Sequence, residues 1–184
     1  VSLSNGGARY TFIAPLNGEG ANHSRPLHSF HCPFNSNRWC FNAGSEVVYR
    51  HAIPAHKQIA ARVESNCNYH TGGAGTIEVS ADARAWTPIA RFDKVGLVKA
   101  EVPKSLLPAE TLFVRLRGEG GASFQVNEYA YTATLDADPS ASLRAGLGEL
   151  RGSTAYLDIK KSDPDFPVTI LAIPSGTGGS GDWK

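Results

Sequence analysis

Two polar-aromatic stretches hold most of the side chains able to do chemistry. Leu27 to Gly44 (LHSFHCPFNSNRWCFNAG) gathers His28, His31, Cys32, Arg38, Trp39 and Cys40 without clean periodicity. Long irregular segments in compact domains are usually functional or covalently stapled. Within it, Asn35, Asn37, Arg38 and Trp39 supply what sugar recognition needs: an aromatic face for the apolar side of the ring and polar groups for its hydroxyls. The competing reading buries Trp39 at the core edge beside a Cys32–Cys40 bridge, because large aromatics are mostly buried. Asn66, Asn68, Tyr69 and His70 form a second set in Asn66–Gly75, a segment that reads as a turn-rich loop. Its plain alternative is a turn whose Asn residues accept left-handed conformations.

The same residues bear on metals and disulfides. Cys32, Cys40 and Cys67 are an odd count, so in an exported protein one pair could close and leave a thiol over. Cys32 with Cys40 is the simplest pairing, and Cys40 with Cys67 is the alternative. His28, His31, Cys32 and Cys40 carry the right atoms for zinc or copper, yet H-x-x-H-C-x7-C fits no standard finger. A disulfide with two surface histidines is the preferred reading. No G-x-S-x-G, H-E-x-x-H or C-x-x-C occurs, and Glu46, Glu64, Glu78 and Glu101 are scattered over strand positions. A non-catalytic chain is expected, although a Cys–His nucleophile needs no closeness in sequence.

Composition narrows the classes further. With 184 residues, 41% hydrophobic and 19% charged, the chain can bury a core and fits one domain with an appendage. Its 18 basic and 17 acidic residues leave a net charge of +1, without the basic stripe of a nucleic-acid binder. No apolar run approaches the ~20 residues of a membrane-spanning helix. Met is absent even at position 1, as expected after removal of a signal peptide or inside a longer protein.

The elements that must position these residues are strands. Gly and Pro are plentiful (19 and 11) and helix-period segments are scarce. Arg9–Ala14 is a first strand stopped by Pro15. Val47–His51 and Gln58–Ser65 follow. In Gly75–Asp93, Ile77 and Val79 alternate with Thr76 and Glu78, Ser80 and Asp82 cap a turn, and Trp86 opens the return strand. Leu97–Val102 is next, and Lys104–Ala109 is a short turn. Leu112, Val114 and Leu116 alternate in the next strand. In Ala122–Leu135, Phe124 and Val126 are out of phase with Tyr129 and Tyr131, which predicts a bulge near Asn127-Glu128. About seven strands between residues 46 and 135 predict an antiparallel sandwich or barrel. Residues 1–45 precede this unit, and Asp136–Arg144 reads as a linker. Ala155–Lys160 and Val168–Ile173 read as two further strands that join the sandwich, since so short a piece cannot bury its own core. Pro174–Lys184 is a Gly/Ser tail. Asn22-His23-Ser24 matches a glycosylation acceptor, relevant only in a eukaryotic host.

Over residues 46–135 the chain resembles the galactose-binding-like (discoidin-type) jelly roll. There an S-x-D-x-x-x-W hairpin, matched by Ser80, Asp82 and Trp86, precedes a strand with V-R-L, matched by Val114, Arg115 and Leu116. Ala83 and Ala85 depart from the pattern, standing where such a turn usually holds Gly or a polar residue. The resemblance implies an all-β, antiparallel jelly-roll sandwich with extra terminal segments, Trp86 in its core, and an exported bacterial setting. It implies a carbohydrate-binding module, sometimes one for lipid head groups or proteins, with ligand loops at one end. Trp39 would stack on the sugar, and Arg38, Asn68, Tyr69 and His70 would line the site. A structural calcium is common in such modules, although no dense Asp cluster marks one here. The alternative is a structural subunit of an extracellular or envelope assembly, reaching protein partners through residues 1–45 and 136–184.

Overall fold

In the computed structural model the chain is described over residues 2–4, 7–17, 26–53 and 56–136. The two late strands, the tail and the glycosylation acceptor lie outside the described residues, as does nearly all of the C-terminal arm. The described chain forms two antiparallel sheets. The five-stranded sheet runs β3 (Leu27–His31), β6 (Glu46–Ala52), β11 (Thr111–Gly118), β8 (Gly75–Ser80), β9 (Thr87–Phe92). The seven-stranded sheet holds β1 (Ser2–Ser4), β2 (Gly7–Ile13), β4 (Phe34–Asn35), β5 (Arg38–Asn42), β7 (Gln58–Gly72), β10 (Gly96–Glu101) and β12 (Ser123–Leu135). From β5 onward the chain crosses between sheets at nearly every step, and only β8–β9 stay together. This is the expected all-β jelly-roll sandwich, and seven of its strands lie between residues 46 and 135.

The 13-residue β12 organises the larger sheet. One of its edges pairs with β7 along its whole length. The other edge is shared: Ser123–Val126 pair with β5, and Ala130–Thr134 pair with β2. Between these ladders the register against β7 jumps from Val126↔Cys67 to Glu128↔Asn66. That is the expected bulge. It lets Phe124 and Val126 point inward on one side of it and Tyr129 and Tyr131 on the other. A regular strand cannot do so, because its side chains alternate without interruption.

Two segments read as irregular are in fact strands. Leu27–Gly44 supplies β3 to one sheet and the β4–β5 hairpin to the other, turning at Ser36, whose φ is 59°. Asn66–Gly72 continues β7 instead of looping. The period-2 pattern fails in both for a physical reason. β3 and β4 are short edge strands, and the far half of β7 is paired through several register shifts.

Aromatic rings fill the core. Phe41 stacks on Phe124 at 4.8 Å, Tyr49 on Tyr129 at 4.0 Å and His51 on Tyr131 at 3.7 Å. Their polar atoms are satisfied internally, as buried polar groups must be. His51 Nε2 meets the Tyr129 hydroxyl at 2.8 Å and Nδ1 meets that of Tyr10 at 3.3 Å, while the Tyr131 hydroxyl donates to Gln58 Oε1 at 2.6 Å. Burial holds His51 well below its ordinary pKa. Gly75 is required, because a Cβ there would strike the ring of Phe124 and the backbone of Arg117.

The hairpin turn after β8 forms as its residues predict: Asp82 Oδ1 accepts from the amides of Arg84 and Ala85 and from the Ser80 hydroxyl. Ala83, which departs from the family pattern, adopts a left-handed φ of 58°. Trp86 corrects an expectation. It is half-buried on the outer face of the five-stranded sheet, 4.2 Å over the Arg115 guanidinium, which donates to Glu78 at 2.6 Å. The interior on that side is already filled by Ile77, Val79 and Phe92, so the indole packs on the cation instead.

Candidate functional site

Trp39 is 0% exposed. Its indole N–H donates to the Tyr49 hydroxyl at 3.1 Å, and its ring packs against Phe30 and Phe34. It sits at an inward position of β5, between the outward Arg38 and Cys40, and cannot stack on a sugar. The same alternation rules out the Cys32–Cys40 bridge. Cys32 faces the core, whereas Cys40 faces outward on the larger sheet. All three cysteines are free thiols. Cys32 donates to the Cys40 carbonyl at 3.4 Å, and burial pushes its pKa up to about 12. His28 packs edge-on against Phe113, away from the cysteines. Among the described residues no group of three His, Cys, Asp or Glu side chains could hold a metal.

Arg38 and Tyr69, distant in sequence, are brought together by β12. Cys40 and Tyr69 flank Gln125 in register on either side of it, and Arg38 Nη1 donates to Gln125 Oε1 at 3.4 Å. Tyr69 is 47% exposed on this outer strip. Asn68, beside it in the shifted register, has a buried Oδ1 with no hydrogen-bond partner. His70 does not join the strip, because its Nε2 is held by the Gly73 carbonyl at 3.1 Å.

A cleft of about 460 Å³ adjoins this strip, where the free edge of β12 passes from β5 to β2. The strand gap opens it. Between the two ladders the chain after β2 reaches β12 through a single bond, Ala14 N–H to the Tyr129 carbonyl at 2.9 Å. Ile13 and Leu97, 70% and 52% exposed, bound the cleft from β2 and β10. Between them lie β12 and β7, so the flanking strands stand roughly 14 Å apart at ordinary strand spacing. Asn37 closes the end towards Arg38, and Asn127, Glu128 and Glu64 present polar groups. The bulge matters here, since it leaves Asn127 and Glu128, consecutive residues, both on the outer face. Asn66 Nδ2 donates to Asn127 Oδ1 at 2.8 Å, which uses one of the pair's four N–H donors and one of its four acceptor lone pairs. Glu64 is ion-paired with Arg62 at 2.8 Å and with Lys99 at 3.3 Å.

Of this constellation the sequence reading contains Asn37, Arg38, Asn66, Asn68 and Tyr69 but misses Gln125, Asn127, Glu128, Ile13 and Leu97 as site residues. One signal for the missed set was present. The phase break between Val126 and Tyr129 implies that two polar side chains turn the same way.

No protein-family model matches the chain, and no curated protein matches it. Solved structures do. A xylan-binding module of family CBM15 is 12% identical, with 71% of this chain and 99% of that one aligned and a TM-score of 0.45. A family 29 carbohydrate-binding module is 9% identical over 78% and 97% of the two chains, at 0.42. Xylanase10C of Cellvibrio japonicus is 12% identical over 73% and 28%, at 0.40.

Proposed function

We propose that the chain is a non-catalytic glycan-binding module of an exported protein, and that it binds on the outer face of the larger sheet. The observation that carries this reading is the continuity of the Arg38–Gln125–Tyr69 strip with the cleft over the bulge of β12. A sugar presents apolar C–H faces and a rim of hydroxyls. The strip and cleft offer a matching mixture: exposed Tyr69, Ile13 and Leu97 beside the side-chain amides of Gln125, Asn66 and Asn127. The ligand surface is a sheet face, because the segment read as a ligand loop is strand β7.

Calorimetry against soluble oligosaccharides of glucose, xylose, mannose and galactose tests the reading. Millimolar or tighter binding by the wild type is expected for at least one series, weakened about tenfold in Tyr69→Ala and in Gln125→Ala, the loss of one or two good contacts. Binding that both variants retain in full would move the site elsewhere.

A further inference from the structure

We infer that the cleft selects uncharged glycans over uronate-rich ones, with Glu128 as the discriminating side chain; this rests on the glycan-binding reading. Among the described residues two carboxylates line the cleft and no cation does. They are not equivalent. Both oxygens of Glu64 are occupied, Oε1 by Arg62 and Oε2 by Lys99, so neither is left for a ligand, and this trio carries a net charge of +1. Glu128 is exposed and has no ion pair among the described residues. Among the described residues it is therefore the lining carboxylate whose oxygens are left to meet a ligand.

The bulge explains why the carboxylate is there. With Val126 and Tyr129 both inward, the two intervening residues both face outward, and Glu128 is set opposite Asn66 beside the amide pair. Arg38 does not offset it within the cleft. Its guanidinium is directed along the strip, with Nε on Asn37 Oδ1 and Nη1 on Gln125 Oε1, and it is not among the lining residues. A hydroxyl can donate to a free carboxylate, and a charge-assisted bond of that kind is stronger than a neutral one. A uronate at the same position has no proton to give and meets a like charge. At about 5 Å in a solvated cleft, that repulsion is worth about fivefold or more in affinity.

The test uses oligosaccharides of glucose, mannose and galactose, each paired with its C6-carboxylate counterpart of equal length. Wild type, Glu128→Gln and Glu128→Lys are titrated at low and high salt. The wild type should prefer the neutral member of a bound pair by about fivefold or more. Glu128→Gln should reduce that preference to within about twofold, and Glu128→Lys should reverse it. Raising the salt should narrow the wild-type gap, because the Debye length falls from about 30 Å at 0.01 M to about 3 Å at 1 M. Melting curves of the variants should match the wild type, as expected at an exposed position. Equal wild-type affinity for neutral and oxidised members, or a preference unchanged in Glu128→Gln, overturns the inference and leaves the glycan reading standing. Binding of no series by the wild type overturns both.

Discussion

The side-chain amide of Asn66, on β7, donates to Oδ1 of Asn127, the residue in the bulge of β12, at 2.8 Å. This bond spans the two central strands at the cleft and ties Asn127 to β7 at the point where the bulge leaves Asn127 and Glu128 both outward. Replacing Asn127 with Ala should weaken glycan binding about tenfold while costing about 1 kcal/mol of stability, the ordinary worth of one such hydrogen bond. A double-mutant cycle with Asn66→Ala measures the coupling. Additive losses in affinity would show that the two amides do not act as a unit.

Trp39 and Tyr69 should behave in opposite ways. Trp39 is fully buried and hydrogen-bonded to Tyr49, so Trp39→Ala should cost about 3–5 kcal/mol of unfolding free energy. The fraction that remains folded should keep its ligand affinity. Tyr69→Ala, at a half-exposed site, should change stability by less than about 1 kcal/mol and lose affinity. Urea titration read alongside calorimetry separates the two.

The thiols should react unequally. Cys40 is partly accessible on the outer face of β5, whereas Cys32 and Cys67 are buried, and burial raises their pKa values. An aromatic disulfide reagent should label Cys40 in the native protein and reach all three after denaturation without reductant. A denatured protein yielding a single thiol would mean that a bridge forms.

Stability should fall in mild acid because of His51. Its folded pKa lies well below the ordinary 6.5, since desolvation disfavours the imidazolium. Below pH ~6.5 the unfolded chain takes up a proton that the folded chain refuses, so this contribution is intact above that pH and declines as pH drops towards the folded pKa. Its steepest loss is about 1.4 kcal/mol per pH unit. Chemical denaturation at pH 7.5, 6.0 and 5.0 should show the decline. His51→Gln should flatten it. An equal slope in that variant would assign the acid sensitivity to other groups.

Local chemistry in the chain was enough to determine a good deal. Alternation in Ile77–Val79 and Leu112–Leu116 marks both a strand and its buried face, since a pleated backbone sends successive side chains to opposite sides. The turn at Ser80–Ala85 and the bulge at Asn127–Glu128 were legible for the same reason, each being a short-range relation between neighbours. What tertiary structure decided is which strands meet. Trp39 is a stacking surface or a core residue according to the side of β5 that the second sheet covers, and Leu27–Gly44, without periodicity, carries no trace of that choice. The cleft exists because β5 and β2 share one edge of β12 and leave a gap between their ladders. Its contributors come from positions 13, 37, 64, 97 and 127–128, joined only through hydrogen bonds between distant strands. Such pairing depends on the register of the whole sheet, and no window of sequence contains it.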